Sequence, residues 1–141
     1  MTPNPAHLRV YVLSFAPKDR AHALKLIELT EPVKDYVSLI CDQHEVAVIL
    51  PDHVMNAAKE QGRHNDIFGP LACITLDVPL DIEVSGYLQP AVHDLAGAGI
   101  SIVPQCALIY DHILVHDKDK DKDSAIKVLS DLQAQADADA A

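Results

Sequence analysis

The sequence predicts an α+β protein made of two halves with the same order of elements. Three observations carry this. Short apolar runs rich in Val, Ile and Leu alternate with segments of helical spacing. Gly and Pro residues punctuate them at regular intervals. The order β-α-β-β-α occurs twice, once over residues 9–65 and again over residues 66–133.

In chain order, residues 1–8 are Pro-containing and read as a flexible N-terminus. Arg9–Phe15 (RVYVLSF) is β-branched and aromatic, a strand, which Pro17 breaks. Ala23, Leu24, Ile27 and Leu29 give Arg20–Leu29 a helical pattern that ends before Pro32. Tyr36–Cys41 and Val46–Leu50 are strands joined by the polar connection Asp42–Glu45. A helix follows to Gln61, with Asp52 as its expected N-cap and Gly62 as its stop.

After a polar loop over residues 62–70, Leu71–Leu76 is a strand and Asp77–Glu83 an acidic loop. A helix is expected from near Ser85 to Ala96, closed by Gly97-Ala98-Gly99. Pro90 either kinks it or marks its true start near Gln89. Strands are expected from Ile100 through Leu108 and over Ile109–His116. Pro104 removes a ladder donor, so its strand lies at an edge or is bulged. Asp117–Asp123 reads as a charged loop, Ser124 to Gln133 as a helix, and the alternating Ala and Asp of residues 134–141 as a disordered tail.

A ferredoxin-like unit is βαββαβ, so each half lacks its last strand. The economical arrangement is a tandem of two such units in which the first strands are exchanged between halves. The chain has 141 residues, 49% of them hydrophobic but only 4% aromatic, so the interior must be built from aliphatic side chains. The formal net charge of -10 repels a phosphate backbone and an anionic bilayer, which argues against nucleic acid and membrane partners. No apolar run approaches the roughly 20 residues that span a bilayer. No secretory leader is legible at the N-terminus. Cys41, Cys73 and Cys106 are widely spaced within apolar runs and read as reduced, mostly buried thiols, which points to the cytoplasm.

Residues 81–115 (DIEVSGYLQPAVHDLAGAGISIVPQCALIYDHILV) resemble the ACT-domain family. The likeness is to ACT type 7, found in tandem ACT proteins related to CASTOR-type arginine sensors and to aspartate kinase regulatory domains. It is carried by Ser85-Gly86-Tyr87-Leu88, Ala98-Gly99-Ile100-Ser101-Ile102 and Asp111-His112-Ile113-Leu114-Val115, with Lys122–Leu129 as the closing helix. The resemblance implies a regulatory protein without catalytic activity that binds a small, amino-acid-type ligand and acts as a homodimer or on a protein partner. It places Ser85, Gly86 and Tyr87 on one side of the ligand and Ile102, Ala107 and Leu108 opposite. A helix N-terminus there would favour a carboxylate. Asp111 would hold an ammonium or guanidinium. The alternative is that Gly86 is a packing position and Asp111 a solvated carboxylate. Cys106-Ala107-Leu108 stands where the family carries hydroxyls, which favours a ligand-independent dimerisation or interaction protein as the second reading.

No cofactor or metal is implied. Asp117, Asp119 and Asp121 have the spacing that opens a calcium loop, but Lys122 and Val128 replace its Gly and Glu. His112 and His116 share a strand face at about 13 Å, too far apart for one ion. A third reading recruits Asp111, His112 or His64 for acid–base work in a cleft between the halves, although no catalytic motif is present.

Overall fold

The structure is a computed structural model that describes residues 8–76 and 89–140. The chain divides within a strand, between Leu71 and Ala72, into two compact units.

In the first unit, β1 (Arg9–Phe15), α1 (Arg20–Ile27), β2 (Ser38–Cys41), β3 (Val46–Pro51), α2 (Met55–Gln61) and the first residues of β4 (Asp66–Leu76) follow one another. The strand order is β2-β3-β1-β4. This is the βαββαβ succession of a ferredoxin-like unit. β3 lies antiparallel between β1 and β2, with Leu13 opposite Val48 and Ile40 opposite Ala47. Alternation does the sorting: Val46, Val48 and Leu50 of β3 face the same core as Leu13 and Phe15 of β1. Ala23 and Leu26 of α1 and Val54, Met55 and Ala58 at α2 close that core from above.

Several expectations are corrected here. The buried stripe of α1 is Ala23 and Leu26, while Leu24 and Leu29 are exposed. Asp52 opens a 3-10 turn whose N-cap is Pro51, and no side chain caps it. The polar stretch before Leu71 is not all loop, because β4 begins at Asp66. Gly62 does end α2, with φ 62° and its N–H donating to the Ala58 carbonyl at 3.0 Å. Cys73 is buried, but Cys41 and Cys106 are exposed, each at the end of a sheet-edge strand.

The second unit contains the rest of β4, α3 (Gln89–Gly97), β5 (Ile102–Cys106), β6 (Asp111–His116) and α4 (Asp119–Ala140). Its strand order is β4-β6-β5. β5 is therefore an edge strand, which is where Pro104 is tolerated. Ile74, Leu76, Ala91, Leu95, Ile113, Val115, Ala125 and Leu129 form its core, the helical members spaced by four residues.

The end of α3 is fully hydrogen-bonded. Gly99 has φ 75°, its N–H donates to the Ala96 carbonyl at 3.0 Å, and the Ile100 N–H donates to the Leu95 carbonyl at 3.0 Å. This is a Schellman closure, with Ile100 and Leu95 in the same apolar cluster. α4 starts at Asp119 and continues to Ala140, so residues 119–123 and 134–140 are helical where loop and disorder are expected. Ala is the strongest helix former, and acidic residues in a first turn complement the helix dipole.

β1 and β4 meet closely near Gly69. A Cβ on Gly69 would lie 2.7 Å from Tyr11 Cδ2 and 3.1 Å from the Val10 carbonyl oxygen, and φ there is 145°. Only a glycine fits without a shift of the Tyr11 ring and the β1 backbone. Gly69→Ala is expected to destabilise the protein by about 1–3 kcal/mol, through crowding and backbone strain together. Urea unfolding would show this as a lower midpoint with an unchanged slope.

Candidate functional site

The β5–β6 hairpin turns over residues 107–110, closed by an Ala107 N–H donating to the Tyr110 carbonyl at 3.1 Å. Cys106 pairs with Asp111 at its base. The expected strands through Leu108 and from Ile109 are thus shorter, because these four residues form the connection. Leu108 is 67% exposed, and Ile109 and Tyr110 are also exposed.

Thr75, Ala107, Leu108, Ile109, Tyr110 and His112 line an open groove of about 550 Å³ within the second unit. Its polar groups include one pair, Thr75 Oγ1 and His112 Nδ1, 3.0 Å apart. The long side chains of the hairpin supply its apolar wall. A few polar groups within an apolar concavity is the usual composition of a small-molecule site.

His112 is half-buried. That burial lowers its pKa below the ordinary 6.5, against a smaller opposing effect of the Asp111 carboxylate. The imidazole is therefore neutral at pH 7, with one ring nitrogen able to accept a hydrogen bond. At the hairpin base, the Cys106 thiol is held above its ordinary value by partial desolvation first, then by the charge of Asp111 and the hydrogen bond it donates to that carboxylate. Cys106 is thus a protonated thiol at neutral pH and a poor nucleophile.

Of the residues singled out in the sequence, Ala107, Leu108 and His112 line this groove. Asp111 sits at the hairpin base against Cys106. Ile102 is at the other end of β5, opposite Val115, and packs on the core. Ser85, Gly86 and Tyr87 lie outside the described residues. His64, in the first unit, sets its ring edge-on to Phe15 at 6.3 Å. Asp119 and Asp121 are helical, which does not have the form of a calcium loop. Among the described residues, no three His, Cys, Asp or Glu side chains gather as a metal site. No described helix is long and apolar enough to cross a membrane. Sequence reasoning missed Thr75 and the pairing of its hydroxyl with His112, since β4 and β6 are distant in the chain and only the sheet makes them neighbours.

No family model matches the chain, and no curated protein matches it. Among solved structures it is similar to a Vibrio cholerae protein of unknown function, described as a possible transport protein. That match has 19% identity and a TM-score of 0.67, and covers 92% of this chain and 88% of the other. It is similar to aspartokinase alpha and beta subunits at 15% identity and a TM-score of 0.62, covering 92% of this chain and 95% of that one. A third likeness is to Clostridium acetobutylicum aspartate kinase, described as an allosteric enzyme, at 14% identity and a TM-score of 0.54. It covers 85% of this chain but 31% of that enzyme. At these identities the likeness concerns the fold. The aspartokinase neighbours support an ACT-like, ferredoxin-like fold for this chain.

The depressed pKa of His112 has a consequence for stability. The unfolded chain takes up a proton near pH 6.5 that the folded site resists, so this contribution is full above that pH and is lost as pH falls. His112→Gln is expected to flatten that part of the profile. Chemical denaturation of both proteins between about pH 7 and pH 5 would show a smaller decline in the variant, and equal declines would remove His112 from the account.

Proposed function

We propose that the protein is a regulatory ACT-type protein without catalytic activity, which binds a small amino-acid-type ligand at the β5–β6 hairpin groove. The observation that carries this reading is the Thr75–His112 pair set in a mostly apolar groove. A neutral imidazole and a hydroxyl offer both a donor and an acceptor to a polar ligand. Ala107 and Leu108 contact its apolar part, and Asp111 offers a carboxylate to an ammonium or guanidinium. Ser85, Gly86 and Tyr87 complete the site as the ACT resemblance implies, and Ile102 shapes the strand behind it. The chain acts in the cytoplasm as a tandem of ACT units, with residues 9–65 and 66–133 as its halves.

A thermal-shift panel of arginine, lysine and the aspartate-family amino acids tests this. One ligand at a hundredfold excess over its Kd stabilises the fold by about 2.7 kcal/mol, a rise of several degrees in Tm. The rise should shrink in Thr75→Val and in His112→Phe. A flat response across the panel would sink the reading.

A specific feature favours a second reading, a ligand-independent interaction protein: Leu108, Ile109 and Tyr110 stand exposed together at the hairpin tip. Light scattering would then show a dimer without ligand that Leu108→Asp dissociates.

A further inference from the structure

The connection between α1 and β2 holds a strained turn. The Asp35 N–H donates to the Glu31 carbonyl at 3.1 Å, and the Glu31 N–H donates to the Asp35 carboxylate at 2.7 Å. Between them Val33 has φ 74° and is fully exposed. A β-branched residue resists this left-handed conformation. Val33 gains no burial in return, so the reciprocal clamp of Glu31 and Asp35 holds it there.

Beside the turn, His53 Nε2 lies 2.7 Å from the Asp35 carboxylate, with the Asp35 side chain 11% and the His53 side chain 51% exposed. Leu8, Glu31, Val33, Lys34, Asp35 and His53 line one groove of about 630 Å³. It is formed by first-unit residues alone and shares none with the hairpin groove.

We propose that this groove is a second small-molecule site, for a small carboxylate that carries an adjacent hydroxyl or ammonium group. Asp35 is already committed as an acceptor, to the Glu31 amide and to His53. Burial pushes its pKa up, but the Glu31 amide and the His53 and Lys34 side chains outweigh that and leave it below the ordinary 3.8. Asp35 is therefore a carboxylate at neutral pH and accepts the Nε2–H of His53. The tautomer that donates from Nε2 carries its lone pair on Nδ1. That nitrogen is an acceptor for a hydroxyl or ammonium donor. The Lys34 ammonium, 3.6 Å from Glu31 and largely exposed, supplies the cation for a carboxylate. Leu8 and Val33 provide apolar walls for a short carbon body. Asp35 is a positioning residue here, acting through His53.

The test uses the full chain labelled with nitrogen-15, with L-serine, glycolate and propionate as probes. Imidazole nitrogen spectra of the free protein should show the Nε2–H tautomer at His53, and Asp35→Asn should shift that tautomer balance. L-serine and glycolate should produce saturable amide shifts at Val33, Lys34 and His53, and propionate, which lacks the donor, should not. His53→Phe and Lys34→Gln should each weaken the response about tenfold, the first by loss of a hydrogen bond and the second by loss of an ion pair. Core amide spectra of each variant establish that it is folded, and the wild-type titration decides the matter if a variant is not. An equal response to propionate, or no saturable shift at residues 31–35 and 53, would overturn the proposal. Shifts confined to Thr75, His112 and residues 107–110 would also overturn it, while supporting the hairpin groove instead.

Discussion

One side of β1 is hydrogen-bonded to β3, and its other side needs a strand that the first half of the sequence does not contain. β4 fills that place. A bare row of backbone donors and acceptors is costly when buried and adhesive when exposed. Pairing with β4 removes both problems for the first unit. Gly69 follows from this pairing, because the Tyr11 ring and the Val10 carbonyl occupy the space a side chain would need. The Asn65 N–H, donating to the Ser14 carbonyl at 2.7 Å, sets where the new strand begins. The same strand runs on into the second unit, where Ile74 and Leu76 join the core.

The two cores are built with almost no aromatic side chains. Phe15 is the large exception, and the rest is Leu, Ile, Val, Ala and Met. Small, regular side chains pack well only if the elements are tightly closed. The structure does this with backbone hydrogen bonds at the helix ends. Gly62 and Gly99 take left-handed conformations that let the last carbonyls of α2 and α3 find partners. No polar or charged residue is buried among the described residues, so polar chemistry is displaced to the rims of the units.

That displacement explains the character of both grooves. Each has one histidine partnered across the chain by another polar side chain. His112 meets a hydroxyl on β4, while His53 meets a carboxylate on the α1–β2 connection. The partner decides the chemistry: the Thr75–His112 pair is uncharged at neutral pH, and Asp35 keeps its charge and orders the imidazole beside it.

Much of the element order was legible, since alternation, helical spacing and Gly stops act over a few residues. β3 with its apolar alternation, the stop at Gly62 and the closure at Gly99 follow from local rules, while the sheet order settles that Pro104 lies in an edge strand. The α1 stripe, the length of β4 and the extent of α4 did not, because packing and propensity choose among several permissible local answers. Ala107 and Leu108, singled out in the sequence, do line the hairpin groove, but the pairings of Thr75, Asp35 and His53 were not legible. Their partners lie 37 and 18 positions away in the chain. By itself the sequence determined an aliphatic α+β chain and the order of most of its elements, through short-range periodicity and backbone stereochemistry. Only the tertiary structure decided which polar groups meet in the grooves and how far each strand and helix runs, because those contacts depend on the positions of segments far apart in the chain.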